Sequence, residues 1–84
     1  VVKTKSVASS VPEGTFADAL RAIAADYPSV DIGSYPAFRK GQVSTALVLR
    51  CTDPAVLDAA TAAVADMLRA LGGDPIIMDG YGDQ

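Results

Sequence analysis

Few side chains in this 84-residue sequence can do chemistry, and they are scattered. Cys51 is the only cysteine, and there is no histidine, asparagine or tryptophan. A histidine-dependent catalytic triad cannot form within the chain. Zinc sites built on histidine or on paired cysteines are equally impossible, and metal transfer through paired soft ligands lacks its second ligand. Neither GxGxxG nor GxxxxGK followed by Ser or Thr occurs, so the standard phosphate-cradling loops are missing. Seven basic residues stand against ten acidic ones, net −3. The basic residues are dispersed as Lys3, Lys5, Arg21, Arg39, Lys40, Arg50 and Arg69. That pattern disfavours binding to a phosphate backbone, which needs a clustered basic surface.

Cys51 ends an apolar run and reads as a passive structural thiol. The helix expected after Asp53 keeps the alternative of an activated thiolate open. A lone cysteine with no secretory signal fits a reducing cytosol. No apolar run approaches the roughly 20 residues of a membrane span.

The segment Asp31-Ile32-Gly33-Ser34-Tyr35-Pro36 stands out. Structurally, Gly33 permits a bulge, Tyr35 packs, and Pro36 ends a strand. Functionally, Ser34, Tyr35, Arg39 and Lys40 form a polar edge for a partner domain or an anionic ligand. Arg39 and Lys40 beside a loop suit a phosphate and equally suit a solvated hairpin tip. Glu13 precedes a helix, where its charge favours the helix dipole. Asp58 and Asp66 read as a solvated helix face.

The elements that must position these groups follow from periodicity. Residues 1–10 mix Val, Thr, Ser and Lys in extended alternation and read as an edge strand, with lysines discouraging further pairing. Val11-Pro12-Glu13-Gly14 makes a turn. Thr15 is the expected N-cap of a first helix, with Asp18 completing a shortened capping box. Phe16, Leu20, Ile23, Ala24 and Tyr27 form its apolar stripe, and Pro28 ends it. Val30 to Phe38 is a second strand whose regular part should end near Pro36. Arg39-Lys40-Gly41-Gln42 turns a hairpin with Gly41 at positive φ. Val43 to Cys51 is the third strand. Asp53-Pro54 opens the second helix as N-cap and N1. Leu57, Ala60, Val64, Met67, Leu68 and Leu71 form its buried stripe, and Gly72-Gly73 closes it. Ile76-Ile77-Met78 is a short last strand, followed by a fraying tail from Gly80.

The order is β-α-β-β-α-β, with one apolar stripe on each helix. Both helices therefore pack on one face of an antiparallel sheet. The fold class is α+β, a two-layer sandwich of the ferredoxin-like kind. If the last strand fails to pair, a K-homology-like arrangement results. The other sheet face lacks helix cover and suits docking of another domain or a second copy. Half the residues are hydrophobic. A domain of this size buries only roughly 60–65% of its unfolded surface, so stability is modest. Acyl-phosphate hydrolysis on such a sandwich needs a catalytic asparagine, which is absent. Nucleic-acid recognition needs basic and aromatic residues on the sheet or a GxxG clamp, and neither pattern occurs.

Val11-Pro12-Glu13-Gly14 before a helix, Ile32-Gly33-Ser34-Tyr35-Pro36, a short basic hairpin, and Thr45-Ala46-Leu47-Val48-Leu49-Arg50 before an Asp-Pro helix start carry a resemblance. Over residues 3–75 the chain resembles the small C-terminal domain of the molybdopterin-binding-like proteins. That family includes competence/damage-inducible protein A and the molybdopterin-binding-like region of FAD synthases. The resemblance implies a larger N-terminal domain that holds the nucleotide pyrophosphatase chemistry of some members. None of that domain's phosphate- or metal-handling residues maps onto this chain. Only Glu13, Gly33, Ser34, Tyr35 and Pro36 match motif positions, and the resemblance assigns them no catalytic duty.

The expectation is a single accessory domain over residues 1–84, cut from a larger cytoplasmic protein whose chain starts before Val1. It is non-catalytic, without cofactor or metal, and without nucleic-acid or membrane partners. Its expected partners are the N-terminal molybdopterin-binding-like domain of the parent chain and, in a homo-oligomer, a second copy. The alternative is a stand-alone small-molecule-sensing domain that binds near Gly33 to Gly41.

Overall fold

The computed structural model describes residues 1–39 and 42–80, with the backbone alone for 37–39, 42 and 43. The elements are β1 (Lys3–Ser9), α1 (Glu13–Asp26), β2 (Asp31–Arg39), β3 (Gln42–Cys51), α2 (Pro54–Ala70) and β4 (Ile76–Asp79). The strands form one four-stranded sheet in the order β2-β3-β1-β4, with every neighbouring pair antiparallel. Because β4 pairs with β1, with Val7 opposite Ile77, the arrangement is the ferredoxin-like one rather than the K-homology-like variant. Arg39 pairs with Gln42 across the hairpin, while Lys40 and Gly41 lie outside the described residues. So do residues 81–84, where the tail was expected to fray.

The strand β1 is not an edge. It lies between β3 and β4. Lysines spaced two apart resemble edge protection, but here Lys5 faces the helix layer. Its Nζ reaches Asp58 on α2 at 3.1 Å and Asp79 on β4 at 3.5 Å. The aliphatic stem lies along the packed layer while the ammonium reaches its two partners, which is how a lysine is accommodated at a central strand.

The helix α1 starts two residues before the expected cap. Pro12 is the N-cap in extended geometry, with φ −65° and ψ 147° and no side-chain cap. Thr15 lies inside the first turn and donates its N–H to the Pro12 carbonyl at 3.0 Å. A proline already holds the φ that a helix entry needs, so the start does not depend on the Thr15 hydroxyl. The other helix matches its signals. Asp53 accepts N–H bonds from Ala55 and Val56 at 3.0 and 3.4 Å, with Pro54 at N1. At its end, Gly73 donates to Leu68 at 2.9 Å and Gly72, at φ +87°, donates to Arg69 at 3.0 Å. This is the paired closure of a Schellman motif.

The strand β2 runs through Pro36 to Arg39 instead of stopping at the proline. As the edge of the sheet it has one side of its backbone outside the ladder, where a missing N–H costs nothing. The core gathers Val7, Val11, Phe16, Val30, Leu47, Leu49, Cys51, Leu57, Ala60, Val64 and Leu68. Leu71 was expected in the buried stripe but is exposed. The helix ends at Ala70, and Leu71 falls on the cap, where the stripe's period no longer applies. Thr61 was not expected to be buried, yet it is. Its hydroxyl donates to the Leu57 carbonyl at 2.7 Å, which removes the cost of burying it.

Candidate interaction surfaces

Alternation along β2 sends the singled-out segment to both faces of the sheet. Gly33 and Tyr35 stand opposite Val48 and Ala46, on the face away from the helices. Ser34 and Pro36 stand opposite Leu47 and Thr45, on the helix side. Ser34 is half-buried, and Tyr35 and Pro36 are exposed. Arg39 continues the strand backbone, and Lys40 lies outside the described residues. Glu13 is far away in sequence but stands at the exposed start of α1 on the helix side. The polar edge read from the sequence is thus distributed over two surfaces.

On the face away from the helices, the centre of the sheet is built from small side chains. Ser6, Ala8, Ala46 and Val48 are all nearly inaccessible there. Gly33 has a specific duty. A Cβ at this position would lie 2.9 Å from Cε2 and Oη of Tyr35. The tyrosine ring therefore folds back over the glycine, two residues earlier on the same face of the strand. Met78 and Ile76 on β4 share this face through their pairing with Ser6 and Ala8. The Ser6 hydroxyl is buried with no hydrogen-bond partner among the described residues.

On the helix side, a groove of about 240 Å³ runs between α1 and β2, lined by Glu13, Phe16, Ala17, Leu20, Arg21, Ala24 and Ile32. The same stripe read from the sequence as core is only partly covered. Phe16 is the one fully buried residue of α1, whereas α2 buries Leu57, Ala60, Thr61, Val64, Ala65 and Leu68. The cause is placement: α2 lies over β1, β3 and β4, while α1 packs chiefly against α2.

A second hollow, of about 450 Å³, lies where β1 begins and β4 ends. It is lined by Lys3, Thr4, Lys5, Pro54, Leu57, Asp58 and Asp79. Here the bond to Asp58 and that carboxylate's charge, aided by Asp79, raise the pKa of Lys5 above the usual lysine value, against a small opposing effect of burial. The charges balance locally, so the hollow does not attract an anion. Elsewhere Arg21 pairs with Asp18 at 2.7 Å and Arg69 with Asp66 at 2.9 Å, each one turn apart on its own helix. Among the described residues no group of three or more Cys, Asp or Glu side chains converges to hold a metal ion. No described helix is long and apolar enough to cross a membrane. Cys51 is buried, with its Sγ 4.0 Å from the Ser29 hydroxyl.

Two helices on one face of a 2-3-1-4 antiparallel sheet define a ferredoxin-like α+β domain. Residues 2–72 match the family described as the FAD synthase middle domain, and the chain belongs to that family. The resemblance to the molybdopterin-binding-like region of FAD synthases therefore holds at the level of this family, whose description places the domain in the middle of its parent. No curated protein matches the chain. Among solved structures, the fold is similar to a de novo designed protein with a ferredoxin fold, at TM-score 0.67 and 8% identity over 100% of this chain and 88% of that one. It is also similar to the C-terminal domain of the MgtC protein from Mycobacterium tuberculosis, at TM-score 0.57 and 13% identity over 99% and 93% of the two chains. A C-terminal segment of the alpha subunit of aIF2 from Pyrococcus abyssi aligns at TM-score 0.64 and 13% identity, over 96% of this chain and 51% of that one. Identities this low establish the fold alone.

Proposed function

We propose that this chain is a non-catalytic accessory domain of a cytoplasmic protein of the FAD synthase type. The match of residues 2–72 to a middle domain of such enzymes is the observation that carries this reading. In it, the chemistry belongs to a neighbouring molybdopterin-binding-like domain related to nucleotide pyrophosphatases, as also in competence/damage-inducible protein A. This domain packs on that neighbour and holds no cofactor or metal of its own. The geometry supports the reading. The described charged groups that pair do so with one another, as Lys5 with Asp58 and Asp79, Arg21 with Asp18, and Arg69 with Asp66. Lys5, Asp58 and Asp79 line the second hollow and Arg21 lines the first groove, and these charged groups are engaged in pairs within the domain.

The test is a paired assay. The purified 84-residue chain and the parent protein are given a dinucleotide pyrophosphate and Mg²⁺. The account expects no turnover by the chain alone and hydrolysis by the parent. Turnover by the chain alone would overturn it.

A further inference from the structure

We infer that the exposed face of α1 is a self-association surface, on which a second copy of this chain packs its own α1 antiparallel. The α1 residues of the α1–β2 groove fall into two rows at i, i+4, i+8 spacing along the helix. Glu13-Ala17-Arg21 is one and Phe16-Leu20-Ala24 is the other. Rows at this spacing are the ridges by which helices interdigitate. The outer row has an acid at one end, a base at the other and a small residue midway. A two-fold axis through Ala17 brings Glu13 of each copy opposite Arg21 of the other, giving two equivalent ion pairs about a close helix crossing. Closed two-fold contacts of this self-complementary kind are the commonest in homo-oligomers. The same apposition covers Leu20 and Ala24, which the fold leaves half-buried beside an open groove.

The Arg21–Asp18 bond does not prevent this. Both side chains are largely exposed, at 74% and 95%, so the pair is weak and exchangeable. One face of a 14-residue helix is about 21 Å long. It buries less than the roughly 800 Å² per partner of a standard interface, so the dimer is weak and concentration-dependent. The inference is independent of the accessory role, since it holds whether or not the chain has catalytic neighbours.

The experiment is sedimentation equilibrium of the 84-residue chain from micromolar to millimolar concentration, with far-UV circular dichroism as the folding control. The wild type is expected to dimerise. Arg21→Glu places acid against acid at both contacts and weakens association about tenfold. The double variant E13R/R21E restores the pairing and the association. A mixture of E13R and R21E single variants associates more strongly than either variant alone. Because both residues are exposed, each variant keeps the wild-type dichroism. A wild type that stays monomeric throughout, or a dimer indifferent to Arg21→Glu, overturns the inference. In the monomeric case the stripe is left for the neighbouring domain.

Discussion

The two helices occupy equivalent places in two successive strand–helix–strand units, and both carry one apolar stripe, yet they are held very differently. The second, α2, crosses the central strands and seals six of its residues; the first, α1, leans on α2 beside the sheet's edge and seals one. The same pattern of residues therefore yields a core in one half and a partly open groove in the other. What decides the outcome is the strand beneath each helix. The difference also runs through the helix ends. An aspartate cap and a double-glycine closure fix α2, whereas α1 starts at a proline with no side-chain cap. The tightly built half carries most of the buried core, and the loosely covered half carries the surface proposed for self-association.

The comparison sharpens under substitution. Leu57→Ala, in the sealed half, should cost about 3 kcal/mol because it leaves a cavity where no side chain can follow. Leu20→Ala, at the half-buried stripe of α1, should cost about 1 kcal/mol. Chemical denaturation of both variants checks the ratio, and equal losses would break the distinction. Gly73→Ala should cost about 2 kcal/mol. Its Cβ would meet Val11 Cγ2 at 2.6 Å and the Leu68 carbonyl at 3.0 Å, and the carbonyl cannot swing aside. Asp53→Ala should remove about 1 kcal/mol by taking away the cap of α2. Ser6→Ala is expected to be neutral or to stabilise by up to about 1 kcal/mol, since it removes a buried hydroxyl without a described partner.

The smallest effect is a pH dependence. Folding raises the pKa of Lys5, so its contribution is complete below the ordinary lysine value and is lost as pH climbs through the raised one. As pH climbs above the lysine reference value of about 10.4, the wild type should lose slightly more stability than Lys5→Met. Identical alkaline limbs in thermal melts would remove Lys5 from the account.

Much of this architecture was legible from local signals. Asp53-Pro54 and Gly72-Gly73 bracket α2 because their cap geometry is written in neighbouring residues. The place of β1 in the sheet was not legible. It is set by pairing with β3 and β4, which are remote in sequence, and alternating lysines alone look like an edge. Thr15 misled in a similar way. A good capping residue was present, but Pro12 already set the entry angle. Of the candidate site, the Gly33–Tyr35 contact could have been anticipated, since residues two apart share a strand face. The groove could not, because a helical stripe does not say how much of it the sheet will cover.

The most direct test of this account is amide hydrogen exchange in the 84-residue chain, followed residue by residue by NMR at low concentration. The account predicts that the amides of α2, β1 and β3 exchange only through global unfolding. Those of α1 should exchange faster, through a smaller opening that leaves the rest intact. Equal protection of α1 and α2 would contradict it, because the two halves would then be one equally sealed unit.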